Sequence, residues 1–280
     1  MSLRLVGHAI PRLPIDGAGI RPDRWLALTA REVARQPLLI GNAWGEIGEV
    51  FHCEGDPADG RVELEGDLSG FGGLAGEMAA GELIVRGNVG SRLGVGMTGG
   101  TIRVHGSVAH WAGAEMRGGL LAIEGDAGRM LGAALPGSRL GLRGGAILLQ
   151  GDAQSDAGLL MRRGLIAIGG SGGAFLGRSM IAGTIVANRA SGPGLGAGMK
   201  RGSIVLAEGP DKPILPTFTR AGRFQLTFLG LLRRHLRDTG IGDWFPFSRS
   251  DDHAATTPSA DMLRGDSVVK GQGEILLDVH

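Results

Sequence analysis

A methionine followed three residues later by a glycine recurs at Met78/Gly81, Met97/Gly100, Met116/Gly119, Met161/Gly164, Met180/Gly183 and Met199/Gly202. Within each run, neighbouring copies are 19 residues apart. Leu142/Gly145 joins the lattice once about seven extra residues around Pro136 to Leu140 are set aside, and Gly60 opens an earlier, slightly longer copy, giving eight. A fixed period of this kind marks a chain built from repeated supersecondary units, so it takes precedence over local propensity.

Each lattice glycine opens a short alternating segment with apolar residues at its second and fourth following positions: Val62/Leu64, Leu83/Val85, Ile102/Val104, Leu121/Ile123, Ile147/Leu149, Ile166/Ile168, Ile185/Ala187 and Ile204/Leu206. A period of two puts both on one face of a strand. A second glycine follows in most copies (Gly66, Gly87, Gly106, Gly125, Gly151, Gly170), then Asp, Asn or Ser, which are turn residues. Such a unit is too short for a helix–turn–helix repeat and suits one rung of a coil whose strands pair with the rungs above and below. The expected fold is an all-β, right-handed parallel β-helix of about eight coils, the hand following from the usual crossover between parallel strands. Its narrow interior explains why aromatic residues make up only 4% of the chain and Gly accounts for 53 residues.

The flanks lack the repeat, so the chain divides into an N-terminal flank (1–48), the β-helix (49–208) and a C-terminal segment (209–280). Thr29 and Glu32 have capping-box spacing and predict a short helix ending before Pro37. Phe51, Cys53, Gly55 and Asp56 read as a degenerate first rung. Phe218, Ala221, Phe224, Phe228, Leu229, Leu232 and Leu236 recur at three- or four-residue intervals, with Arg233, Arg234 and Arg237 near the end and Gly240 beyond. That predicts one amphipathic helix. Residues 246–262 read as an extended arm.

Lys plus Arg (29) nearly cancels Asp plus Glu (28), so no global field favours nucleic acid or an anionic membrane. No apolar run reaches the roughly 20 residues of a membrane span, and the N-terminus lacks a secretory h-region, so the expected location is cytoplasmic. A single cysteine, Cys53, excludes an intrachain disulfide, a Cys-rich zinc site or an iron–sulfur cluster held by this chain alone.

Gly94, Gly96 and Gly99 match the dinucleotide fingerprint in letters, but they lead into a strand at Thr101 where the fingerprint needs a helix. They read as corner glycines. His52, Cys53, His105 and His110 are the candidates for acid–base or metal work; neither His105 nor His110 has a carboxylate at ligand spacing on its own rung, and solvated or interface histidines are the expected reading. No catalytic residue and no metal site are expected.

The cations are more informative. Arg117, Arg143, Arg162 and Lys200 each follow the Met position, and Arg163 and Arg201 come one further on. The repeat therefore predicts a partial column of positive charge on one side, either hydrated or a docking strip for an anion. The outward strand positions change from charged in early rungs (Arg61, Glu63, Arg103) to apolar later (Leu120, Ala122, Leu148, Leu165, Ala167, Val186). An apolar strip of this size needs cover, from the C-terminal helix or from another protein of an assembly.

Gly87–Asn88–Val89–Gly90, Met97–Thr98–Gly99–Gly100, Met161–Arg162–Arg163–Gly164 and Gly194 to Gly202 resemble the Gly-x-Gly-x-Gly repeat family. It includes the C-terminal domain of large-chain glutamate synthase and the C subunit of formylmethanofuran dehydrogenase. The likeness to the latter is greater: it extends to Gly41–Asn42, Phe51, Gly265–Asp266 and Lys270 to Glu274, and so covers most of the chain. Leu142 in a Met position, and Arg189 and Glu208 in place of strand glycines, depart from the pattern.

The resemblance implies a β-helical C subunit without catalytic residues or cofactors of its own. In the archaeal enzyme, tungsten- or molybdenum-dependent, the redox chemistry belongs to the other subunits. In the related bacterial formyltransferase/hydrolase complex of formaldehyde oxidation, formyl passes from tetrahydromethanopterin to a methanofuran-type carrier and leaves as formate. There the partners are a zinc-dependent protein (A), a companion (B) and a formyltransferase-like protein (D). The excess of Arg over Lys favours the bacterial assembly, in which the cation column would hold the carrier's polyglutamate-like tail. A glutamate-synthase-like domain and a free-standing carbohydrate-binding β-helix are the alternatives; the absence of Tyr and of an acidic groove disfavours the second.

Overall fold

A computed structural model describes residues 2–8, 13–241 and 257–277. In chain order the strands are β1 (Leu3–Gly7), β2 (Ile15–Asp16), β3 (Pro37–Ile40), β4 (Ala43–Glu46), β5 (Phe51–Glu54), β6 (Arg61–Glu65), β7 (Phe71–Gly72), β8 (Glu82–Arg86) and β9 (Thr101–Val104). They continue as β10 (Leu120–Ile123), β11 (Ala146–Leu149), β12 (Leu165–Gly172), β13 (Thr184–Ala190), β14 (Ser203–Leu206), β15 (Thr219–Gln225), β16 (Ser259–Gly265) and β17 (Gly273–Leu277). The helices are α1 (Pro22–Trp25), α2 (Ala30–Ala34) and α3 (Thr227–Leu236).

The molecule is mostly β. A 13-stranded mixed sheet runs β15-β16-β17-β14-β13-β12-β11-β10-β9-β8-β6-β1-β5, and a four-stranded sheet runs β4-β3-β2-β7. From β17 to β1 every neighbouring pair is parallel. The register follows the sequence period: Leu83 pairs with Ile102, Ile102 with Leu121, Ile147 with Ile166, Ile166 with Ile185 and Ile185 with Ile204. Leu121 pairs with Ile147 across the insertion. A second ladder of parallel bridges links Leu68, Val89, Val108, Ala127, Ala153 and Gly172.

The interior is a continuous column. Met78, Met97, Met116, Leu142, Met161, Met180 and Met199 are fully buried with the strand residues Leu64, Val85, Val104, Ile123 and Leu149. Leu142 thus fills the methionine site with a side chain of similar volume, a tolerated exchange. The lattice glycines take left-handed backbone: Gly119 has φ +86°, and a Cβ there would lie 2.7 Å from both Gly100 O and Met97 Cε. No L side chain fits that corner without displacing backbone.

Both ends of the backbone ladders finish on aspartates. Along one corner the N–H groups of Thr98, Arg117, Arg143, Arg162, Ile181 and Lys200 each donate to a carbonyl of the preceding repeat. The first N–H of that series, Ala79, has no earlier carbonyl and donates to Asp23 Oδ2 at 3.0 Å. Along another corner, Glu77, Gly96, Glu115, Leu160 and Ser179 donate to the following repeat. There Gly198, the last, donates to Asp266 Oδ2 at 3.0 Å. Asp23 is gripped by Arg21 at 3.0 and 2.6 Å, and Arg21 also donates to Gly76 O at 3.2 Å. The aspartates satisfy donors that would otherwise be orphaned in a partly buried site.

The predicted capping box is present: Thr29 accepts from Glu32 N and donates to Glu32 Oε2 at 2.8 Å, while Thr29 N donates to Glu32 Oε2 at 2.7 Å. Three sequence expectations need correction. Phe51 to Glu54 is no parallel rung, because β5 pairs antiparallel with β1, and β1 is the strand that stacks parallel on β6. The helix expected from Phe218 begins only at Thr227; Thr219–Gln225 is a strand, held antiparallel to β16 with a bulge next to Gly222, whose φ is +127°. Sheet pairing overrides a spacing that α3 keeps only at Phe228, Leu229, Leu232 and Leu236. Within the expected arm, Ser259 to Met262 belong to β16, and the stretch before 257 lies outside the described residues.

The apolar outward strip is covered by the chain itself. Ala122, Leu148, Leu165, Ala167, Val186 and Val205 form a second core with Leu229 and Leu236 of α3 and with Ala260, Met262 and Leu276 of the β16–β17 hairpin. The helix half of this cover follows from the sequence, whereas the hairpin half depends on pairings that no local pattern announces.

Candidate functional site

The backbone ladder sets the cation-bearing positions in register. Arg117, Arg143 and Arg162 occupy the same corner of three successive repeats, Ile181 interrupts, and Lys200 resumes; Arg163 and Arg201 lie beside the last members. Arg117, Arg162, Arg163, Lys200 and Arg201 are exposed and Arg143 is partly buried. Among the described residues none of the six is within ion-pair distance of a carboxylate, although most arginines of the outward sheet face are paired: Arg4 with Glu65 at 2.5 Å, Arg86 with Glu63, Arg103 with Glu82 at 3.2 Å and Arg189 with Glu208 at 2.6 Å. Arg189 and Glu208, the two departures from the glycine pattern, thus answer one another across adjacent repeats.

At its N-terminal end the column borders a groove of about 460 Å³ lined by Arg21, Glu77, Thr98, Glu115, Arg117 and Arg143, with Leu135 on its rim. Leu135 opens the inserted segment, and its N–H donates to Glu115 Oε1 at 3.3 Å. The insertion therefore adds a wall that a regular repeat would lack, and it engages Glu115. Arg143 Nε is shielded from solvent and has no hydrogen-bond partner. A desolvated guanidinium N–H without an acceptor is costly. Sequence periodicity found the column; it missed the groove, because Arg21 comes from the N-terminal flank and Leu135 from outside the repeat.

The two terminal aspartates are acidic beyond the ordinary. Burial would raise the Asp23 carboxyl, but the Arg21 guanidinium and the Ala79 N–H outweigh it and hold it below the usual aspartate value of 3.8. Burial likewise opposes ionisation of Asp266, and the N–H groups of Gly198 and Val268 overcome it.

The other candidates point away from nucleophilic chemistry. Cys53 lines a cavity of about 520 Å³ with His8, Arg31, Phe51 and His52. Burial pushes its thiol up to about 11, from an ordinary 9.0. The thiolate is the reactive form, so about one hundredfold less of it forms than in a free cysteine. Alkylation of Cys53 by iodoacetamide at pH 8 should be about one hundredfold slower than that of a small thiol and should recover in denaturant; a rate matching the free thiol would contradict this environment. His105 Nδ1 lies 2.7 Å from Glu124 Oε1, and His110 Nδ1 accepts from Arg129 N at 3.0 Å, so both are engaged structurally. Gly94 to Gly99 form a turn entering β9, as a corner and not as a nucleotide loop. Among the described residues no group of three His, Cys, Asp or Glu side chains is placed to hold a metal ion, and no helix is long and apolar enough to cross a membrane.

No protein-family model matches the chain. It is 34% identical over 90 residues to the C subunit of the tungsten-containing formylmethanofuran dehydrogenase 2 of Methanothermobacter wolfeii, a match covering 31% of this chain and 33% of that protein. It is 35% identical over 95 residues to the C subunit of the molybdenum-containing formylmethanofuran dehydrogenase 1 of Methanothermobacter thermautotrophicus, covering 34% of this chain and 24% of that one. The matched segments thus span a third or less of these relatives. The fold superposes on a chain in the crystal structure of the formyltransferase/hydrolase complex (FhcABCD) from Methylorubrum extorquens in complex with methylofuran, with a TM-score of 0.87 and 31% identity over 99% of this chain and 100% of that one. A likeness that spans both chains end to end, joined to the C-subunit relatives, places this protein in the family of formylmethanofuran dehydrogenase C subunits.

Proposed function

We propose that the chain is the structural C subunit of a formyltransferase/hydrolase complex, which moves a formyl group from tetrahydromethanopterin to a methanofuran-type carrier and releases formate. The A, B and D subunits would be its partners and would supply the zinc and the chemistry, and the assembly would work in the cytoplasm. The observation that carries this reading is the superposition, over the whole of both chains, on a chain of the Methylorubrum extorquens complex. We read the 19-residue register and the second bridge ladder as the coils of a right-handed parallel β-helix (49–208), between an N-terminal flank (1–48) and a closing segment (209–280). A role without catalysis is supported by a protonated Cys53 and by histidines already bound to neighbours.

The test is to tag the chain in its source cell, isolate what accompanies it, and assay formate release. Copurification of three further subunits with that activity is expected. A solitary chain, or turnover by the isolated chain, would discard the reading. The relatives from Methanothermobacter favour a second reading, a tungsten or molybdenum enzyme. Metal analysis of the isolated assembly separates the two: tungsten or molybdenum would select the second.

A further inference from the structure

The geometry points to Trp111, with Arg92 before it, Met130 after it and Arg129 beside it, as the anchor of a contact with a folded partner protein that presents an apolar side chain flanked by carboxylates. This rests on the reading that the chain works inside an assembly, and it sets one of the contacts on a corner that the cation column does not occupy.

The corner is defined by its backbone. The N–H groups of Gly73, Arg92, Trp111, Met130 and Asp156 donate in turn to the carbonyls of Ser91, His110, Arg129, Ser155 and Ala174, so these residues stack on successive repeats. All five take left-handed backbone, with φ +59° at Trp111. Glycine serves at the same position in Gly73 and Gly194, so the repeat itself requires no ring there. A bulky side chain in that region is held at a conformational cost. The indole N–H of Trp111 is also shielded from solvent without an acceptor in the chain, where such a group ordinarily finds one. Packing within this chain does not account for a tryptophan at that place.

The ring is preset for contact. His110 stands edge-on to it, with centroids 6.1 Å apart at 90°, and His110 is itself fixed by the Arg129 N–H at 3.0 Å. An anchor held in place loses little freedom on binding, and Trp, Met and Arg are the side chains that concentrate at protein contacts. Trp111 and Met130 are partly exposed, and Arg92 and Arg129 are exposed. Among the described residues neither arginine lies within ion-pair distance of a carboxylate, whereas further along the corner Asp156 is answered by Arg178 at 2.7 Å. A groove of about 750 Å³, lined by Arg92, Val95, Leu13 and Leu39, continues from Arg92 toward the N-terminal flank, so the contact has room to grow to the size of a specific interface.

Charge selects the occupant. A second copy of this chain would set the same two arginines against themselves across a two-fold axis. A nucleic acid would stack its bases on Trp111 but bring a continuous line of phosphates toward Asp126 and Asp152, which line the hollow beside His110. An apolar side chain on the ring, with a carboxylate for each guanidinium, answers the patch as it stands.

Hydroxyl-radical footprinting, read by mass spectrometry, compares the free chain with the isolated assembly. Trp111 and Met130 should be oxidised in the free chain and protected in the assembly. In the tagged chain, Trp111→Ala and, separately, Arg92→Glu should each weaken retention of the partner about tenfold or more, as loss of an interface anchor does, and Trp111→Phe should lose less. Arg61→Gln, at an exposed arginine of β6, should retain partners as the parent does. Melting curves show that each variant folds; were Trp111→Ala to unfold, Arg92→Glu and the footprint decide. Equal oxidation in both states, or equal retention by all variants, would overturn the inference. Protection of the free chain that grows with its own concentration would assign the corner to a second copy, and protection abolished by nuclease would assign it to a nucleic acid; either overturns it too. A parent chain that travels alone sinks the assembly reading together with this one, whereas a parent that assembles with Trp111 still reactive sinks only this one.

Discussion

Replacing Asp23 with alanine is expected to destabilise the fold by about 3 kcal/mol, because it strips a largely buried guanidinium of its carboxylate. The Arg21 and Asp23 side chains are 10% and 12% exposed, so solvent screens the loss only in part. The change also removes the acceptor of the Ala79 N–H. Asp23→Asn keeps an oxygen for Ala79 but loses the charge, and should fall between the two in denaturant midpoint. The same carboxylate gives a pH signature. Asp23 and Asp266 both titrate below the ordinary 3.8, so their stabilisation is complete above that pH and is lost as pH falls through their lower folded values. Stability should therefore hold from neutrality to about pH 4 and decline below it, with the decline flattened in a double Asn variant. An unchanged midpoint for Asp23→Ala would show that the N-terminal flank does not support the repeats.

Gly119→Ala should be comparably severe, on the order of 3 kcal/mol, through a left-handed backbone and a Cβ forced against Gly100 O. Gly137 gives an internal control. It too has positive φ, +82°, but it lies in the insertion with nothing within 4 Å of the added Cβ. Gly137→Ala should cost about 1 kcal/mol, the conformational part alone. Urea midpoints that fail to separate the two variants would mean that the corner yields easily, against the close stacking of neighbouring repeats.

The contrast between those glycines shows what the sequence reveals and why. Features that recur were legible: the buried Met78 to Met199 column, the strand phases and the corner cations all follow from one period, and each copy corroborates the others. The capping box at Thr29 and Glu32 was legible because its chemistry is local. What escaped is aperiodic and non-local. β1 joins the sheet across more than fifty residues, β15 wears a helical spacing, and β16 and β17 close over the second core through long-range pairing. Asp23 carries no pattern, the Gly265–Asp266 likeness says nothing of a capping role, and both roles exist only once the last repeat on each side has a donor left over. In the candidate site the same division holds: the column came from the repeat, and its wall from an insertion.

The closing strands at the two ends also decide how long the molecule is. A run of parallel strands with a fixed register presents at each end the template for one more strand, and identical chains could in principle keep adding, head to tail, into a filament. Here β5 at one edge runs against the common direction, and at the other the edge strand β15 is reached through the reversed β16 and carries a bulge next to Gly222. An incoming copy meets an edge of opposite polarity at one pole and, at the other, a bulged strand bearing Arg220 and Arg223 outside the repeat register; both are features that discourage growth by self-templating.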